Sequence, residues 1–167
     1  MKVFGHLLLL AALFLNGCAS YTWRSRVPED LRTLAVPVFE NESGQPELDA
    51  IVTKYTLREL QREGTFQIAR LSDASLKLLG KLTRVKTDSI TFDRNFGSRT
   101  AEYKLTVVAE ITLVDTASGK TLIDRQKIKA RTTFLTHGDM LTGLQDAYPR
   151  VSKELARSIV DAILAHW

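Results

Sequence analysis

Residues 103–113 alternate with little interruption: Tyr103, Leu105, Val107, Ala109, Ile111 and Leu113 are apolar, and mostly polar residues separate them. Successive side chains of a β-strand point to opposite faces, so the run fits a strand with one buried face. On a helix the same residues would scatter around the axis. Thr116, Ala117, Ser118 and Gly119 supply turn chemistry, and the chain returns from Thr121. Pairing Asp115 with Lys120 sets Leu113 opposite Leu122, Val107 opposite Ile128 and Leu105 opposite Ala130, so the core faces of the two strands coincide. On the other face Glu110 then stands opposite Arg125, a favourable cross-strand pair.

The rest of the chain is organised around this hairpin. Residues 33–39 form a mostly apolar, β-prone run in which Pro37 marks either an edge strand or the end of the strand. Residues 40–45, with Asn41, Ser43 and Gly44, read as a turn. Pro46 suits the first turn of a helix whose apolar positions are Leu48, Ile51, Val52, Tyr55 and Leu60, and Gly64 fits its stop. Phe66, Gln67 and Ile68 make a short strand. From Leu76 the series Leu76, Leu78, Gly80, Leu82 is again period two. Continuing it puts Arg84 and Lys86 on the core face, which requires either a bulge or the end of the buried zone before Ile90 and Phe92.

The last segment, from Asp139 to Trp167, is helical. Asp139 is a cap, Pro149 a kink or a restart, and Val151, Leu155, Ile159 and Ile163 form one stripe. The expected fold is therefore α+β: two helices packed on one face of a four-stranded, mostly antiparallel sheet, in the order β-α-β-β-β-α.

The amino terminus sets an address. Met1 and Lys2 precede an apolar run from Val3 to Leu15, too short to span a bilayer, and Leu15-Asn16-Gly17-Cys18 ends it. This ending is similar to the lipobox of bacterial lipoproteins. Residues 1–17 then form a cleaved signal peptide, residues 18–30 a lipidated start and linker, and residues 31–167 a single periplasmic domain. The alternative is an ordinary signal peptide with an incidental cysteine. On the lipobox reading Cys18 carries covalent N-acyl and S-diacylglycerol lipid, enough acyl chain for permanent anchoring, and no other cofactor is expected. Ala19, in place of aspartate, points by the sorting rules of such lipoproteins to the periplasmic face of a Gram-negative outer membrane. Cys18 is also the only cysteine, so no intramolecular disulfide forms.

The net charge of +4 suggests an anionic partner, which in that compartment is lipopolysaccharide or another anionic lipid rather than nucleic acid. Arg125, Lys127, Lys129 and Arg131 alternate on the returning strand and point away from the core, about 6.5–7 Å apart. They form either a ladder of cations for phosphates or simply a solvated face. Arg94 and Arg99 bracket a turn containing Asn95 and Gly97, where guanidinium groups suit bidentate phosphate contacts or only a polar tip. The motifs of a hydrolase elbow, a P-loop and a dinucleotide fold are missing from the sequence, and His137 and His166 have no ligand spacing. No metal site and no enzyme are expected.

The chain resembles the LptE family of lipopolysaccharide-assembly lipoproteins over nearly all of its length past Cys18. The resemblance rests on Val27-Pro28, on the segment from Leu34 to Asn41, on the segment from Ser75 to Lys81 and, most specifically, on the block from Arg94 to Tyr103. It implies a partner and a role: plugging and helping to assemble the outer-membrane barrel LptD, and assisting lipopolysaccharide transport to the outer leaflet. Arg94 matches the family's arginine that meets the phosphorylated headgroup, and Arg99, Lys127, Lys129 and Arg131, read from the basic turn and row rather than from the family, are expected as further lipopolysaccharide contacts. A second basic position of the family, near the start of the last helix, has no match, although His137 lies nearby. The competing expectation is a non-enzymatic periplasmic scaffold or secretion-accessory lipoprotein that binds only protein or peptidoglycan.

Overall fold

The alternating run becomes the middle of a very long strand in the computed structural model, which describes residues 27–92, 100–137 and 139–167. After a short 3-10 turn, Glu29–Leu31, the elements are β1 (Thr33–Ala35), β2 (Glu40–Asn41), α1 (Leu48–Glu63), β3 (Gln67–Ile68), β4 (Leu76–Phe92), β5 (Thr100–Asp115), β6 (Thr121–His137) and α2 (Met140–Leu164). All strands belong to one sheet of order β3-β1-β4-β5-β6, with β2 also paired to β4.

This corrects the expected four-stranded, mostly antiparallel sheet. Among the described residues six strands are present and the pairing is mixed: β1 runs parallel to β3 and to β4, β2 runs parallel to β4, and only β4-β5 and β5-β6 are antiparallel. The two-residue strand β2 completes no period, so side-chain alternation cannot reveal it, whereas the short strand read at residues 66–68 is present as β3. Alternation also reports which face a residue occupies, not which way its neighbour runs. Residues 40–41, read as part of a turn, instead form β2, held by Glu40 and Asn41 opposite Lys81 and Leu82. β1 lies inside the sheet, and Pro37 follows its end.

α1 begins at Leu48, two residues after Pro46, behind Glu47 in the left-handed region (φ 63°). It stops at Gly64, whose φ of 82° and N–H bond to the Leu60 carbonyl make it the C-cap. α2 is a single helix that runs through Pro149 rather than restarting there. The Asp139 carboxylate accepts the Leu141 and Thr142 amides at 3.0 and 3.3 Å. Val151, Leu155, Ile159 and Ile163 are all buried, as are Leu48, Val52 and Leu60 of α1. They pack with Leu76, Leu78 and Leu82 of β4, with Leu105 to Leu113 of β5 and with Ile128 and Ala130 of β6 in one core. Both helices therefore cover one face of the sheet.

Bulges set the phase of the long strands. The β4-β5 register slips between Leu82 and Arg84, so the core face passes from Leu82 to Val85, and Arg84 and Lys86 turn outward. A second slip follows between Ser89 and Thr91. In the hairpin the Asp115 amide does bond to the Lys120 carbonyl (2.9 Å), but the register then shifts by two residues. Leu113 faces Ile123, Val107 faces Ala130, Leu105 faces Thr132 and Glu110 faces Lys127, not the pairs that a regular hairpin gives. Arg125, in the shifted stretch, takes φ 42° and does not meet Glu110. Because the total slip is even, the buried faces still coincide.

Candidate functional site

The face of the sheet opposite the helices is covered by no described element, and the bulges decide what it displays. Four cross-strand rows lie side by side: Lys81-Glu110-Lys127, Arg84-Val108-Lys129, Lys86-Thr106-Arg131 and Asp88-Lys104-Thr133. Adjacent strands are about 4.8 Å apart and same-face residues about 6.8 Å apart. Arg84, Lys86, Lys104, Lys129 and Arg131 thus crowd into a patch roughly 10 Å by 14 Å. Thr106 in its middle is nearly buried although it is on the open face. The aliphatic stems of its long neighbours account for that shielding.

Carboxylates temper the patch only at its borders. Lys127 Nζ stands 3.7 Å from Glu110 Oε1, and Lys81 Nζ reaches Glu40 at 3.1 Å and Glu42 at 2.9 Å. Those two partners hold the Lys81 ammonium above its ordinary pKa, chiefly through the hydrogen bond to Glu42. Lys86 Nζ meets Asp88 Oδ1 at 2.5 Å. That bond holds the Asp88 carboxyl below the usual range; partial burial opposes it, and the charges of Lys86, Lys104 and Lys129 add to the depression. Arg84, Lys104, Lys129 and Arg131 make no ion pair with a described carboxylate. Like charges at this spacing repel, and only solvent and salt relieve them without a ligand.

Of the residues singled out in the sequence, Lys127, Lys129 and Arg131 occupy one exposed row on β6 and Arg125 leaves it at the bulge. Lys127 is tied to Glu110, which leaves Lys129 and Arg131 as the free members. Cys18, Arg94 and Arg99 lie outside the described residues, as does most of the Arg94 to Tyr103 block. Sequence reasoning missed Arg84, Lys86 and Lys104. The signal for the first two was present: consecutive cations at nominal core positions are themselves evidence of a bulge.

The chemistry on offer is electrostatic. Among the described residues no group of three His, Cys, Asp or Glu side chains is arranged to hold a metal, and no helix is long and apolar enough to cross a membrane. The arrangement suits a ligand with several anionic groups spaced over about a nanometre.

The family model for LptE, described as lipopolysaccharide-assembly, matches residues 31–163. The chain belongs to this family. It is accordingly a non-catalytic outer-membrane lipoprotein associated with the lipopolysaccharide machinery. A search of curated proteins finds no match. Among solved structures, a Xanthomonas campestris protein is similar with a TM-score of 0.58 at 12% identity, covering 81% of this chain and 84% of the other. A Chlamydia trachomatis protein gives a TM-score of 0.50 at 10% identity, covering 80% and 96%. At such identities the likeness is one of fold alone. The LptE assignment rests on the family model, which spans the chain from the 3-10 turn through nearly all of α2.

Proposed function

We propose that this LptE-family chain plugs and helps to assemble an LptD-like outer-membrane β-barrel and assists the passage of lipopolysaccharide to the outer leaflet, meeting the lipid's phosphorylated headgroup through basic residues. The observation that carries the lipid contact is the uncovered face on which Arg84, Lys86, Lys104, Lys129 and Arg131 converge without enough carboxylates to neutralise them. Arg94 and Arg99, outside the described residues, are further basic candidates in this reading. The anchor in this reading is Cys18, N-acylated and S-diacylglycerylated after removal of residues 1–17. Residues 18–30 tether the periplasmic domain of residues 31–167 to the inner leaflet of the outer membrane.

Two measurements test this. Affinity purification of the lipidated protein in detergent should bring down a large β-barrel; recovery of the protein without one counts against the plug. Purified lipopolysaccharide should bind the Lys129→Ala/Arg131→Ala variant about tenfold or more weakly, with a further loss when Arg94→Ala is added. Binding equal to that of the unaltered chain, with unchanged thermal melts, would remove the basic face from the mechanism.

A further inference from the structure

β6 is the outermost strand of the sheet, and among the described residues none pairs with its free edge. Two contacts fix which of its backbone groups face outward. Arg150 Nη2 donates to the Thr133 carbonyl at 3.3 Å from the α2 side, so that carbonyl is turned away from β5. On the far side of β5, the Leu82 carbonyl is turned to the Glu42 amide (2.9 Å), which leaves Ala109, opposite Leu82, to bond with its other partner, Ile128. Antiparallel pairs alternate between bonded and non-bonded, so even-numbered residues of β6 near Ile128 bond to β5. The N–H and C=O groups of Lys127, Lys129 and Arg131 point to the open edge.

These are the same residues whose side chains form the cationic row, so the unpaired backbone and the positive charge coincide. The open stretch has ends: the register shift around Arg125 closes one, and Arg150 occupies the edge at Thr133 at the other. About seven residues, roughly 23 Å, remain available. A second copy of β6 is a poor occupant, because antiparallel self-pairing would set lysines and arginine against one another. The chain's own segment 19–26 is equally unsuited, with Arg24 and Arg26 and no carboxylate.

We propose that the 126–132 edge of β6 accepts an extended acidic segment of another protein as an added antiparallel strand, with carboxylates at alternate positions over Lys127, Lys129 and Arg131. Backbone bonds give the partner its extended shape, and the alternate carboxylates set register and exclude basic or neutral strands. Lysines along an exposed edge ordinarily deter strand addition; here they make it selective for a strand of opposite charge. This site shares the Lys129 and Arg131 side chains with the lipid contact on the face, and the backbone bonds along the edge distinguish it from that contact.

The test uses the full chain and a capped heptapeptide alternating glutamate with valine, at millimolar concentration. Hydrogen exchange should slow at the Lys127, Lys129 and Arg131 amides. Methylating the peptide's glutamate nitrogens, which face β6 in the antiparallel pairing, should weaken binding by about tenfold or more, whereas methylating its valine nitrogens should leave it intact. A peptide of the same composition with its glutamates clustered should bind about tenfold more weakly. Absence of protection, or equal binding by the two methylated peptides, overturns the proposal and leaves only charge adhesion. Protection of the same amides by phosphatidylglycerol vesicles but not by the peptide overturns it in favour of a lipid surface. The protein is unaltered in every arm, so misfolding cannot imitate a negative result.

Discussion

Gly80 lies on the core face of β4, where a Cβ would stand 2.3 Å from Phe39 Cε2 and 2.4 Å from Cδ2 and Cζ. Ordinary carbon contacts are about 3.5–4.0 Å, so Gly80→Ala requires the ring or the strand to retreat by more than about 1 Å. The ring has little freedom to do so. Phe39 is 2% exposed, belongs to the main core cluster, and has its amide tied to Thr53 Oγ1 at 3.0 Å. Overpacking of this kind costs about 1–3 kcal/mol, and the severity of the overlap selects the upper part of that range. Alanine recovers about 0.5–1 kcal/mol of backbone entropy, for a net loss of about 2 kcal/mol. At this chain length that lowers Tm by roughly 4–8 °C.

Urea titration at 25 °C of Gly80→Ala in two backgrounds isolates the cause. With Phe39→Leu, which removes most of the colliding ring, the cost of Gly80→Ala should shrink by about 1 kcal/mol or more, a coupling typical of residues in direct contact. A neutral Gly80→Ala would refute the reasoning. So would a cost that is the same in both backgrounds, which would place the strain elsewhere. The glycine falls within the Ser75 to Lys81 segment that carries part of the family resemblance, and the aromatic seat gives that glycine a physical reason.

Two further outcomes follow from buried polar groups and from titration. Thr53→Val keeps the side-chain shape but removes the oxygen that accepts the Phe39 amide, a group that is out of water; the loss should be about 1–3 kcal/mol in urea melts, and Thr53→Ser should recover most of it. Glu59 joins the helices: it receives Arg62 Nε at 3.1 Å and lies 4.0 Å from Arg157 Nε. The Arg62 hydrogen bond above all holds its carboxyl below the ordinary value; burial opposes the shift, and the charges of Arg62, Arg157 and Lys153 reinforce it. A depressed folded-state value stabilises the protein above the unfolded-state value, and that contribution is lost as pH falls through the folded one. Thermal melts of Glu59→Gln from pH 7 to about pH 3 should therefore fall less steeply on acidification than those of the unaltered chain, and parallel curves would exclude this carboxylate from acid unfolding.

Elements long enough to complete several periods were legible in the sequence: the β5-β6 hairpin, the Val151-Leu155-Ile159-Ile163 stripe and the Gly64 stop. The hairpin and the stripe repeat their signals, so one exception does not erase them, and Gly64 is legible as a lone cap residue. β2 repeats nothing. Its two residues pair through backbone atoms that carry no sequence code, and the parallel direction in which β1, β2 and β3 pair stayed hidden with it. The hairpin pairs were misassigned for a related reason. A slip of two residues leaves every apolar side chain on its proper face, so the hydrophobic pattern that fixes the face cannot count the register. Only Arg125 at φ 42°, a conformation an arginine rarely prefers, marks where the count changes. The candidate site was half legible. The β6 row follows from alternation alone, whereas Arg84, Lys86 and Lys104 join it only through three-dimensional pairing.

The bulge between Leu82 and Arg84 bears on both the core and the basic face. Before it, even-numbered residues of β4 are buried, with Leu76, Leu78 and Leu82 fully so; after it, the even-numbered Arg84 and Lys86 are exposed. One extra residue lets a single strand keep its leucines under the helices and still carry its cations to the face shared with Lys104, Lys129 and Arg131. An unbroken ladder would have buried two unpaired charges, far costlier than the lost pairing of one residue. The cationic face is thus built into the register of β4, and it needs no loop to assemble it. That separates the surface available to a polyanion from the segment that holds Arg94 and Arg99. Since the same rows end at the open edge of β6, charge gathered across three strands is delivered to an edge where the sheet can still grow.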